Sequence, residues 1–140
     1  MTRATTSIRL DSELRERLAA AAAAEGTTVT ELIERFAREG LASAGHPGIV
    51  FKPGPSGRRA ALAGGPDVWE IASALRNVTG SEAQRVSKLA EQFGVHERQI
   101  VTALNYAAAH RDEIEARIRA NDAALMEVER IAAERERLLA

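Results

Sequence analysis

The chain has 140 residues, enough for one domain or for two very small ones with an extension. It contains no cysteine, which excludes a disulfide framework and thiolate metal sites and fits a reducing compartment. A net charge of −1 and 4% aromatic residues give neither a bulk basic footprint nor many rings for stacking single-stranded bases.

Apolar content is 45%, much of it alanine, so the chain reads as helix-rich with a modest core. There is no N-terminal apolar signal core, and no apolar run approaches the ~20 residues needed to cross a membrane. A soluble cytoplasmic protein without membrane contact is expected. Lysine plus arginine number 6, 7 and 6 over residues 1–45, 46–110 and 111–140, against 7, 5 and 8 acidic residues. Charge balance therefore neither announces nor excludes nucleic acid, and local placement has to decide.

Residues 5–10, TTSIRL, alternate polar and apolar at the period of a strand. Asp11 is placed to cap a helix carrying Leu14, Leu18 and Ala21, and Gly26 to end it. Thr28 and Glu31 have the spacing of a capping box, opening a second helix with Val29, Leu32, Ile33, Phe36, Ala37 and Leu41 on one face. That helix is expected to stop near Gly40 or Ser43.

A lone strand is not stable in water, and only two helices follow it. The economical solution is a second copy of the chain. Two strands pair antiparallel above four helices, with Ile8 and Leu10 facing a shared core and Thr5, Ser7 and Arg9 facing out. The core of such a dimer would be Ile8, Leu10, Leu14, Leu18, Leu32, Ile33 and Phe36.

That order, over "TSIRLDSELRERLAAAAAAEGTTVTELIERFAREGL", resembles the ribbon-helix-helix DNA-binding proteins of Arc, MetJ and CopG type. The resemblance covers about residues 5–42 and implies a homodimer whose ribbon enters the major groove of double-stranded DNA. It assigns base reading to Thr5, Ser7 and Arg9, since arginine can fork onto guanine and hydroxyls can donate or accept at any base. It sets Thr28, Val29 and Thr30, at a helix N-terminus, against a phosphate. The alternative is a small helical dimerisation domain whose strand is polar on one side by accident.

A short hinge at 43–48 precedes two apolar stretches, 49–51 and 60–63, which read as a β-hairpin with its loop at 53–57. Asp67 caps a helix with Val68, Ile71, Ala72 and Leu75, ended by residues 77–80; Trp69 beside them reads as core. Helices at about 82–92 and 96–109, joined at Gly94, suggest a helix-turn-helix. Residues 46–115 resemble a small winged-helix-like domain found in VapB-like bacterial antitoxins. Two roles stay open for this module. It is either a second DNA contact through His96, Glu97, Arg98 and Gln99 with Arg58 and Arg59 as backbone clamps, or a packing and partner-binding platform.

Residues 111–140 read as one long amphipathic helix capped by Asp112. Its seam is Ile114, Ile118, Asn121, Leu125, Val128, Ala132, Arg135 and Leu139, alternating steps of four and three. This helix can lie in a partner's groove, pair with its own copy, or pack on its own domain. Ile114, Ile118, Leu125, Val128 and Leu139 are its candidate partner contacts.

No enzyme is expected, nor a cofactor or a metal. His46, His96 and His110 lack ligand spacing, and "GPSGRR" lacks the Lys-Ser/Thr of a phosphate-binding loop. Asn77-Val78-Thr79 fits a glycosylation pattern that has no meaning in the cytoplasm. The expected architecture is mainly α: a ribbon-helix-helix domain (1–45), a helix-turn-helix-like or winged-helix-like module with a hairpin (46–110), and a long helix (111–140). The resemblances imply a nucleoid-associated repressor and antitoxin that regulates its own operon and holds a toxin, PIN-like ribonucleases being the type implied, through its C-terminal region. The alternatives are a regulator without a toxin, or an assembly protein that does not bind DNA.

Overall fold

The computed structural model describes residues 2–140. The chain is mainly helical, with one two-stranded antiparallel sheet. It divides into two compact units, one ending at Leu41 and the other spanning Ala42–Ala140, so the division falls inside a helix.

In the first unit, helix α1 runs Ser12–Glu25 and α2 runs Val29–Gly45. Asp11 starts α1 by accepting the Glu13 and Leu14 amides at 2.9 and 3.4 Å. Gly26 stops it in the left-handed region at φ 68°, where a side chain would be strained, and the Thr27 amide reaches back to the Ala22 carbonyl at 3.0 Å. The glycine at 40 does not stop α2. Without a breaker after it, the helix continues to Gly45.

The strand expected over residues 5–10 is not formed, since these residues carry no regular secondary structure. A strand exists through ladder hydrogen bonds to a neighbour, and the sole sheet among the described residues lies in the other unit. The buried core of the first unit is three side chains, Leu18, Ala22 and Leu32, with Leu10, Ala21, Val29 and Ile33 half-buried around them. Ile8, Leu14 and Phe36 stay 58%, 41% and 48% exposed. So small a core is far below what an independent domain needs.

The second unit opens with the hairpin β1 (Ile49–Lys52) and β2 (Arg59–Leu62), in register Ile49↔Leu62 through Lys52↔Arg59. Helix α3 (Val68–Ala74) continues into a 3-10 turn (Leu75–Asn77), followed by α4 (Glu82–Phe93), α5 (Glu97–Ala109) and α6 (Arg111–Leu139). Ile49, Leu62, Val68, Ile71, Leu89, Ile100, Ala103 and Tyr106 form its continuous core. The starts of α3, α4 and α5 are locally encoded. Ser81 and Gln84 form a reciprocal capping box on α4, and Gly94 (φ 65°) turns the chain into α5. Trp69 packs partly buried against the core while its indole N–H donates to Asp67 Oδ2 at 3.2 Å.

Helix α6 departs from the sequence reading at its start. It begins at Arg111 directly after His110, and Asp112 lies in its first turn instead of capping it. The reason is packing: Ile114 is buried in the core of the second unit and Ile118 is half-buried there, so the helix is set by that core and not by a side-chain cap. Arg117 ties the same stretch to the hairpin, donating to the Arg58 carbonyl and to Ser56 Oγ at 2.5 and 3.1 Å.

Asp67 is the one buried charged residue among those described, and the Arg59 guanidinium is hydrogen-bonded directly to it. Replacing Arg59 with methionine keeps the alkyl stem but removes the counter-ion of this carboxylate, leaving it the Trp69 indole N–H as a neutral donor. The unit should lose about 3 kcal/mol, the lower end for breaking a buried pair because Arg59 is itself partly exposed. Denaturant unfolding followed on the single tryptophan, Trp69, reads the loss directly. An unchanged midpoint would show that the pair contributes nothing.

Candidate nucleic-acid interface

In the first unit Thr5, Ser7 and Arg9 are all exposed. Arg3 meets Glu34 at 3.4 Å, and Arg35 meets Glu25 at 2.7 Å and Glu39 at 3.9 Å while lying 5.2 Å over the Phe36 ring. Arg9, Arg15, Arg17 and Arg38 enter no ion pair among the described residues. The sequence reading singled out Arg9 alone. The other three carry the same charge in a segment dense in glutamate, and only the fold shows which arginines the acids leave over.

The N-terminus of α2 is occupied in part by its own chain. Thr28 Oγ1 accepts the Glu31 amide at 3.1 Å, and the Thr27 hydroxyl donates to the Glu31 carboxylate at 2.5 Å. These hydroxyl and backbone donors hold the Glu31 carboxyl below its ordinary value, so it stays ionised at neutral pH. An anion approaching Thr28, Val29 and Thr30 meets helix amides and a fixed negative charge together. The favourable part of such a contact is short-range hydrogen bonding, not net charge.

In the second unit the six residues considered for a second DNA contact have different fates, Glu97 being exposed in the first turn of α5. Arg59 is committed to Asp67 and to the Pro53 carbonyl at 2.8 Å. Arg58 donates to the Phe51 carbonyl at 3.3 Å. His96 and Gln99 close the N-terminus of α5: His96 Nδ1 accepts the Arg98 amide at 3.1 Å, and Gln99 Oε1 accepts the His96 amide at 2.9 Å. Arg98 is exposed and makes no side-chain ion pair among the described residues. Both side chains are engaged in capping α5, and His96 lies outside the Ser, Thr, Asp and Asn types by which a cap is recognised in sequence.

The second unit also carries an open groove of about 640 Å³ between α3, α5 and α6, floored by Ala72, Leu75, Leu104 and Ile118. Arg76 crosses its rim to Asp122 at 3.0 Å and holds that carboxyl below the usual carboxylate range. No group of side chains suited to a metal ion occurs among the described residues, and no helix there is long and apolar enough to cross a membrane.

Residues 4–43 match the family model described as ribbon-helix-helix protein, copG family. The match takes in the exposed segment at Thr5, Ser7 and Arg9, helix α1 and most of α2. No curated protein and no solved structure matches the chain.

Proposed function

We propose that this chain is a DNA-binding transcription regulator that acts as a dimer through its first unit. Residues 5–10 of two copies pair as an antiparallel ribbon. Ile8 and Leu10 then close over Leu14, Leu18, Leu32, Ile33 and Phe36 of both copies, and Thr5, Ser7 and Arg9 face the major groove. The match over residues 4–43 supports this reading. The observation that carries it is a three-residue core flanked by exposed Ile8, Leu14 and Phe36 and by a segment with strand alternation but no strand partner. A second copy supplies all that is missing at once.

Selection of bound duplexes from a random DNA library by the full chain tests it. Enrichment of a palindromic or repeated site is expected, because two-fold protein symmetry is mirrored in the DNA. Recovery of unenriched sequence would end the reading.

A second reading, an autoregulating antitoxin that neutralises a toxin through its C-terminal region, is favoured by one observation. Leu125, Val128, Ile131, Leu138 and Leu139 on α6 are all exposed, beyond the stretch held by the second unit's core. Its mark would be relief of toxicity when this chain is co-expressed with the product of an adjacent small reading frame.

A further inference from the structure

Ile114 and Ile118 are spent inside the second unit, so the free part of α6 begins near Asn121. From there Asn121, Ala124, Val128, Ile131, Arg135 and Leu138 follow in steps of three and four, the alternating a and d positions of a heptad seam that takes Ala124, Ile131 and Leu138 in place of the Leu125, Ala132 and Leu139 expected from the sequence. Val128, Ile131 and Leu138 are 63%, 51% and 88% exposed, and nothing in the single chain covers them. At about 100° per residue they lie on one contiguous arc, with Glu129, Ala133 and Arg137 on the opposite side.

We infer that this free half of α6 pairs with α6 of a second copy, parallel and in register. The charges along the helix select this occupant and this direction. Arg135 sits in the middle of the apolar arc without an ion pair of its own among the described residues. Glu134 gives one carboxylate oxygen, Oε1, to Arg137 and leaves Oε2 unbonded. In a parallel pair an a-position side chain inserts beside the preceding g position of the other helix. Arg135 of each copy therefore meets Glu134 of the other, and the two guanidinium groups at that layer are offset by two carboxylates. Asn121 faces Asn121, a polar a layer of the kind that fixes register and strand number at some cost in stability. An antiparallel pair would instead bring Glu127 against Glu134 and set Asn121 against Leu138.

About two and a half heptads with two polar layers make a weak seam by themselves. The inference therefore rests on the paired ribbon of the first unit. Joining two copies there makes the second contact intramolecular, at an effective concentration in the millimolar range.

The chain has no cysteine, so one introduced thiol reports cleanly. In the full-length protein, Ile131→Cys places two sulfurs across the seam, and Ala133→Cys places them on the outer face. Under copper–phenanthroline and air at micromolar protein, most of the Ile131→Cys chain should run as a disulfide dimer, at least tenfold more than Ala133→Cys. Sedimentation of the unoxidised variants should give the mass of two chains. A two-chain particle with no preference for position 131 would overturn the α6 pairing while leaving the ribbon intact, and would return this face to a different protein. A one-chain particle without cross-link would overturn both.

Discussion

Replacing Ile8 with lysine should convert a two-chain particle into single chains whose first unit is unfolded, and should abolish DNA binding. Ile8 makes no buried contact in one copy, where it is 58% exposed; its contribution arises only between copies. Burying an isoleucine is worth about 1.5–3 kcal/mol, and a two-fold interface counts it twice. The variant loses that and must also hold two ammonium groups in the shared core, unpaired, a further penalty of several kcal/mol. With only Leu18, Ala22 and Leu32 buried, the first unit has nothing to fall back on. Sedimentation at micromolar concentration should give the mass of one chain, since the α6 seam alone does not hold two. Circular dichroism should lose the helical signal of α1 and α2, while the cooperative unfolding reported by Trp69 in the second unit stays in place. Ile8→Val, which keeps most of the apolar area, should remain dimeric. A folded, two-chain Ile8→Lys protein would refute the intertwined ribbon.

The features legible in the sequence are those decided within a few residues. Asp11, Gly26 and Gly94 act on backbone groups two to four positions away, so their types and spacing state their effect. The hairpin was legible for the same reason: its prolines and glycines fall between two apolar stretches that pair in register. What could not be read depends on groups distant in sequence. Nothing local to Asp112 shows that α6 is seated by Ile114 in a core built from α3 and α5, which takes the capping role away from it. Likewise Arg58 and Arg59 look like clamps for an external anion until the fold brings Asp67 and the carbonyls of Pro53 and Phe51 to them. The strand is the sharpest instance. Its alternation specifies a face and an edge, and a single chain offers no partner for either, so no strand forms.

The same charge accounting makes Arg9 the most exposed point of the proposed function. The first unit carries more acids than bases, seven against six, and its pairs tie Arg3 and Arg35 to glutamates, so little unspecific attraction to phosphate remains. Affinity must then come from a few directed contacts, and of Thr5, Ser7 and Arg9 only the arginine can make a bidentate, charge-assisted one. Arg9→Ala should weaken binding to the selected site by about 1–3 kcal/mol, roughly 5- to 150-fold, and relax discrimination at one base position in each half-site. Arg9→Lys should recover the charge and not the fork, restoring part of the affinity and less of the selectivity. Replacing Arg15 or Arg17 with alanine should instead lower binding to all sequences alike and flatten its salt dependence. Fluorescence anisotropy with the selected duplex and with single-base variants, at two salt concentrations, separates these outcomes. If Arg9→Ala lowers affinity equally for every duplex, Arg9 grips phosphate and the base reading falls to Thr5 and Ser7. If affinity does not change at all, the outward face of the ribbon is not where this chain meets DNA.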